Sequence, residues 1–123
     1  MPTVTKDYTV NTTYNLEMWT IPLDLHFVKA VTVFDLTEST YIGDTFVTIG
    51  LLAGGTTIQN QVCALASGYC GRINPVFWTG SLPVDHDWYL YAQVHGIADD
   101  QLRLSALVWK IVSDERNEFR VDP

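Results

Sequence analysis

The chain has 123 residues, with 14 acidic and 7 basic side chains and a net charge of -7. That length suits one domain with a core of its own, and the acidity repels phosphate backbones and anionic lipid surfaces, which argues against nucleic acid and membrane as partners. No apolar run reaches the ~18 residues of a membrane span, and the N-terminal MPTVTKDYTVNTTYN lacks the apolar core of a secretion signal. The expectation is a soluble chain made in the cytoplasm.

Residues 1–18 are rich in Thr, Asn and Tyr and poor in aliphatic residues. They read as an extended N-terminal arm, able to add to a neighbouring subunit's sheet, or equally as a loose terminus. Asn11-Thr12-Thr13 matches a glycosylation acceptor, which carries no weight without a secretion signal. Residues 19–25 start the strand pattern, with Pro22 suited to a strand edge or bulge. Residues 26–36, HFVKAVTVFDL, are β-branched and aromatic without helical spacing and form the clearest strand of the first half. A polar connection over 37–44 leads to a strand over 45–53, which Gly54-Gly55 turns into another over 56–65. Residues 66–71 read as a small-residue loop, 72–79 as a strand interrupted by Pro75, and 80–84 as a turn.

Residues 85–112, DHDWYLYAQVHGIADDQLRLSALVWKIV, read as a long β-hairpin with apolar side chains on both faces. Trp88, Leu90, Ala92 and Val94 in one arm and Leu102, Leu104, Ala106, Val108 and Val112 in the other are the core candidates. The opposite faces carry Tyr89, Tyr91, Leu107 and Trp109, more apolar surface than a solvated sheet face normally shows. These four are the candidate oligomer interface. Residues 113–123 are strongly charged and read as a solvated tail, leaving 19–112 as the β-domain. About seven or eight strands punctuated by Gly and Pro, with no sustained i, i+3, i+4 spacing, predict an all-β antiparallel sandwich or jelly roll.

From residue 45 through 84 the only charged side chain is Arg72. Edge strands that stay solitary usually carry charge, so this stretch favours burial against other subunits.

No catalytic signature accompanies the fold. His86 between Asp85 and Asp87 lacks a nucleophile to serve and reads as a turn. Asp99 and Asp100 read as a solvated acidic loop, well short of the ~6 to 8 oxygen ligands of a calcium site. Cys63 and Cys70 flank Ser67-Gly68, a plausible reversal that would permit a disulfide; two reduced, partly buried thiols are the simpler state in a cytoplasmically made protein. Their spacing with His86 and His95 fits no compact zinc pattern. The reading therefore expects no enzyme, no metal and no cofactor. Trp78, with the sandwich loops, is the alternative candidate, a platform on which a sugar ring would stack.

The stretch WTGSLPVDHDWYLYAQVHGIADDQLRLSALVWKI, with its Trp-Thr-Gly turn, Pro-containing turn, aromatic strand, Gly to Asp-Asp loop and Leu-rich closing strand, resembles the C-terminal half of small jelly-roll virion proteins of tailed phages. The resemblance covers roughly residues 76–112 and transfers no functional residues. It implies a structural protein of the virion, made in the host cytoplasm: a capsid decoration or cement protein, or a head fibre. Its partners would be itself, commonly as a homotrimer, and the major capsid or another virion protein. A carbohydrate- or receptor-binding sandwich module is the alternative.

Overall fold

The chain forms nine strands in a computed structural model that describes residues 3–37, 43–113 and 119–122, with side chains described as far as Ile111. The strands are β1 (Thr3–Thr9), β2 (Leu16–Leu23), β3 (His26–Asp35), β4 (Thr45–Ala53), β5 (Gln61–Cys70), β6 (Val76–Val84), β7 (Trp88–His95), β8 (Gln101–Ser113) and β9 (Phe119–Asp122). A single 3-10 turn (Ile58–Asn60) interrupts the β4–β5 connection.

Two antiparallel sheets face each other. One has the order β1-β8-β3-β6, with β9 beside β8; the other is β2-β7-β4-β5. Apart from β4–β5 and β8–β9, every connection carries the chain from one sheet to the other, the jelly-roll arrangement of an antiparallel sandwich. The expected all-β sandwich is therefore what the chain forms.

The core lies between the sheets, where the inward positions meet. Leu90, Ala92 and Val94 of β7 and Leu102, Leu104, Ala106 and Val108 of β8 are all buried there, as their spacing predicts, joined by Val28, Val31 and Val33 of β3 and Val47, Ile49 and Leu51 of β4. Trp88 packs against this cluster from a half-buried position. Each fully buried aliphatic side chain contributes roughly 1.5–3 kcal/mol relative to an exposed one.

The long hairpin expected over residues 85–112 does not form. β7 pairs with β2 and β4, and β8 pairs with β1, β3 and β9, so these two strands occupy different sheets. Apolar residues on both faces mark a central strand with neighbours on each side, and β7 and β8 are both central. The period-2 pattern identifies faces without identifying neighbours. Residues 96–100 are consequently a crossover held in place: Asp99 N–H donates to Val10 O and Val10 N–H to Asp100 O, each at 2.9 Å. Asp100, expected in a solvated loop, is buried and accepts a 2.8 Å hydrogen bond from Thr45 Oγ1, while Asp99 remains exposed in the left-handed region at φ 72°.

The N-terminal arm is likewise part of the domain. β1 runs antiparallel to β8 from Thr3↔Leu107 to Thr9↔Gln101, and residues 16–18 begin β2. Main-chain pairing with β8 takes up one edge of this segment. The segment read as a charged tail contributes β9, which lies on β8 at Lys110–Ser113; residues 114–118 fall outside the described chain.

Side chains close the flank where edge strands β1 and β2 meet. Lys6 Nζ donates to Thr20 O at 3.0 Å, Tyr8 stacks on Trp19 with ring centroids 4.6 Å apart, and Tyr8 Oη donates to Glu17 Oε1 at 2.5 Å. Glu17 also accepts the backbone N–H groups of Asn11 and Thr12. Burial alone would raise the Glu17 pKa, but these donors outweigh it and hold the carboxyl below its ordinary 4.5. Burial, and then the Glu17 charge, push the Tyr8 hydroxyl up to about 12.

Because the folded Glu17 pKa is depressed, its stabilising effect is complete above the ordinary value and is lost as pH falls through the folded one. Urea denaturation of wild type and Glu17→Gln should therefore show a gap in midpoint at pH 7 that narrows by pH 3; a gap of constant size would contradict this account.

Candidate functional site

The outward positions of β2, β7, β4 and β5 form a surface whose order follows from register. Leu16, His95, Phe46 and Tyr69 line up in one row across all four strands. Tyr14 leans on His95 with ring centroids 5.4 Å apart, and Phe46 meets Tyr69 edge to face at 5.2 Å. Leu16, Tyr14 and Tyr69 are more than half exposed, at 66%, 54% and 56%. A polar row of Met18, Gln93, Thr48 and Ser67 runs beside them, followed by Thr20, Tyr91, Gly50 and Ala64, and then by Pro22, Tyr89, Leu52 and Gln61. None of these side chains is Asp, Glu, Lys or Arg. A protein with 14 acidic residues thus leaves one whole sheet face uncharged, because its carboxylates lie elsewhere, among them Asp24, Asp85 and Asp87 at turns, Asp99 and Asp100 at the β7–β8 crossover, Asp7 paired with Arg103 on the other sheet, and Glu17 turned to Tyr8 at the β1–β2 flank.

The four residues expected to form one interface are divided between opposite sides of the sandwich. Tyr89 and Tyr91 belong to this face, whereas Leu107 and Trp109 of β8 lie on the outer face of the other sheet, paired with Ala30 and Phe27 of β3. Tyr91 is moreover fully buried. Its ring lies over Gly50, where an added Cβ would sit 2.5 Å from Tyr91 Cε1, and its hydroxyl donates to Gln61 Oε1 at 2.8 Å. Burial raises its pKa. Tyr91 therefore packs the outside of its own sheet, an outcome that depends on a glycine of the adjacent strand. Trp109 is half-buried beneath Lys29, whose ammonium stands 4.7 Å from the ring centroid and donates to Ser81 Oγ at 3.0 Å. That geometry is a cation–π contact.

Trp78, the expected sugar platform, packs against the core from β6, and its ring fills the space beside Gly80. Cys63 and Cys70 both lie on β5, separated by six intervening residues along an extended strand. At ~3.3 Å per residue they are far beyond disulfide reach, and both thiols are free. The expected reversal at Ser67-Gly68 is regular strand, paired with Thr48 and Val47. Burial pushes the Cys70 thiol up to about 11, and its Sγ donates to Val33 O at 3.2 Å. His86 sits in the β6–β7 turn as expected, where its Nδ1 forms an ion pair with Asp24 at the exposed surface. Among the described residues, no group of three His, Cys, Asp or Glu side chains is placed to hold a metal ion.

The exposed row is hidden in the sequence because Leu16 falls in a stretch poor in aliphatic residues and Tyr69 in one rich in small residues. A signal was present in LEMWTIPL, where Trp19, Ile21 and Leu23 alternate with Leu16, Met18, Thr20 and Pro22 as inward and outward sets.

With this geometry in hand, comparison with protein-family models, with curated proteins and with solved structures returns no match. The class that fold and surface define is a jelly-roll domain with an uncharged sheet face.

Tyr91→Ser should lower stability by roughly 3–5 kcal/mol, the range for emptying a large buried aromatic site, and Gly50→Ala by roughly 1–3 kcal/mol through overpacking. Denaturant midpoints test both, and near-neutral effects would contradict the packing of Tyr91 over Gly50.

Proposed function

We propose that this chain is a non-enzymatic structural protein of a phage virion, a self-associating decoration or cement protein that sits on the head. The observation that carries the reading is the uncharged outer face of the β2-β7-β4-β5 sheet. Two molecules of net charge -7 repel at long range, and this face is where they can approach without placing carboxylate against carboxylate. Its exposed apolar row, Leu16, Phe46, Tyr69 and Tyr14, supplies the large amphipathic side chains that association surfaces favour. The jelly-roll strand order supports the same reading, since capsid domains are among the proteins built on it. The resemblance over residues 76–112 points the same way.

A sugar- or receptor-binding module is the second reading, and one observation favours it. The aromatic row is flanked by Gln93, Thr48 and Ser67, side chains able to hydrogen-bond hydroxyls, on one open surface. On that reading the platform is Tyr69 and Tyr14 in place of Trp78.

Light scattering on the purified chain at micromolar concentration should give a mass above one chain, and addition to empty heads should raise their thermal stability. A monomer that shows a saturable glycan-array signal, abolished by Tyr69→Ala, would reverse the preference.

A further inference from the structure

We infer that the open edge of β5 is where a second copy of this chain adds its own β5, joining the two β2-β7-β4-β5 sheets into one. The inference rests on the self-association reading above and assigns it a place and a symmetry.

The two flanks of the sandwich differ. Where β1 meets β2, the edges are bridged by Lys6, Tyr8 and Glu17, and β2 also carries Pro22. Charge and proline on an edge are what keep it from pairing with another chain. Where β5 meets β6, the Cys70 thiol bonds the Val76 backbone at the end of β5, and before it a cleft of about 270 Å³ opens between Ala66–Tyr69 on one side and Asn74–Phe77 on the other. β6 is protected by Pro83 and by a register shift opposite residues 28–30 of β3. β5 pairs with β4 alone and contains neither charge nor proline.

Within β5 the protection is again uneven. Its register against β4 shifts between Ile49 and Gly50 and between Leu51 and Leu52, so bulges disturb the first half, from residue 61 to 65. Residues 66–70 pair regularly with Ile49 through Thr45. This regular half is also the half that lines the cleft. A strand entering there would meet an undistorted ladder of N–H and C=O groups, the requirement for β-augmentation. Tyr69, Ile73 and Phe77, exposed by 56%, 67% and 63%, rim the site and would be covered on association.

Charge selects the occupant. From residue 45 to 84 the only charged side chain is Arg72, exposed just past the end of β5 and opposite in sign to the chain as a whole. The edge itself is neutral, and the same edge of a second copy is a neutral strand that meets it without carboxylate repulsion. An antiparallel strand is also self-complementary: turned about a two-fold axis at Gly68, Ala66 lies opposite Cys70 of the second copy and Ser67 opposite Tyr69, with no like charges in register. Such pairing yields a dimer, in place of the trimer implied by the resemblance.

The test uses the full chain, measured by sedimentation velocity and by amide hydrogen exchange at low and high protein concentration. Mass should double as concentration rises, with the amides of residues 66–70 slowing by about tenfold or more over the same range. Ser67→Lys, at an exposed position, should leave the thermal midpoint near wild type and hold the chain as a monomer. A doubled mass without added protection in β5, or a Ser67→Lys chain that still associates, overturns the edge while leaving self-association standing. A trimeric mass overturns the two-fold pairing. A wild-type chain that is monomeric throughout overturns both readings.

Discussion

The apolar layer shared by the two sheets is the constraint on which the rest of the structure depends. Val31, Val33, Leu104, Val47, Ile49, Leu90 and Val94 are fully buried there, and an antiparallel sheet that buries one face this completely must send every second side chain outward. The outer faces are therefore a by-product of the core pattern. Once Trp19, Ile21 and Leu23 are drawn inward, Leu16, Met18, Thr20 and Pro22 face out whatever their chemistry. Register then places Leu16 beside His95, Phe46 and Tyr69, a row that no local stretch of sequence contains.

Charge is distributed by the same geometry. Carboxylates are costly to bury unless they are hydrogen-bonded, and this chain places Asp24, Asp85, Asp87 and Asp99 at exposed turns. Asp100, buried like Asp35, is anchored by Thr45 where the β7–β8 crossover docks on the end of the sandwich. With Asp7 paired to Arg103 on the other sheet, the β2-β7-β4-β5 face and the β5 edge stay neutral. Lysine or glutamate on such surfaces is a common means of keeping an edge unpaired. The β1–β2 flank, bridged by Lys6 and Glu17, is closed in that way within the same molecule.

Legibility in the sequence followed the range of the interaction. The alternation of Leu90, Ala92 and Val94, and of Leu102, Leu104, Ala106 and Val108, is a property of single strands, and the core it predicts is the core observed. Pairing is a property of two strands. The short link over residues 96–100 favours a hairpin on local grounds, but in the fold it crosses between sheets, and Tyr91 and Trp109 end on opposite sides of the molecule. Tyr91 was read as surface because its parity is outward; it is buried because Gly50, forty-one positions earlier, leaves room for its ring. Ser67-Gly68 leaves a chain reversal open on local grounds, whereas pairing with β4 keeps those residues extended and Cys63 and Cys70 apart as free thiols.

By itself the sequence determined the fold class, the inward set of each well-patterned strand and the near-neutrality of residues 45–84, because each depends on side-chain type and on a period of two. Tertiary structure alone decided which strands are neighbours, which outward residues are exposed, and which edges remain open. Those outcomes depend on contacts between residues distant in sequence, chosen by how completely two sheets can bury one core between them. The aromatic row and the open edge of β5 belong to that second group, and only the assembled sandwich brings them onto one surface.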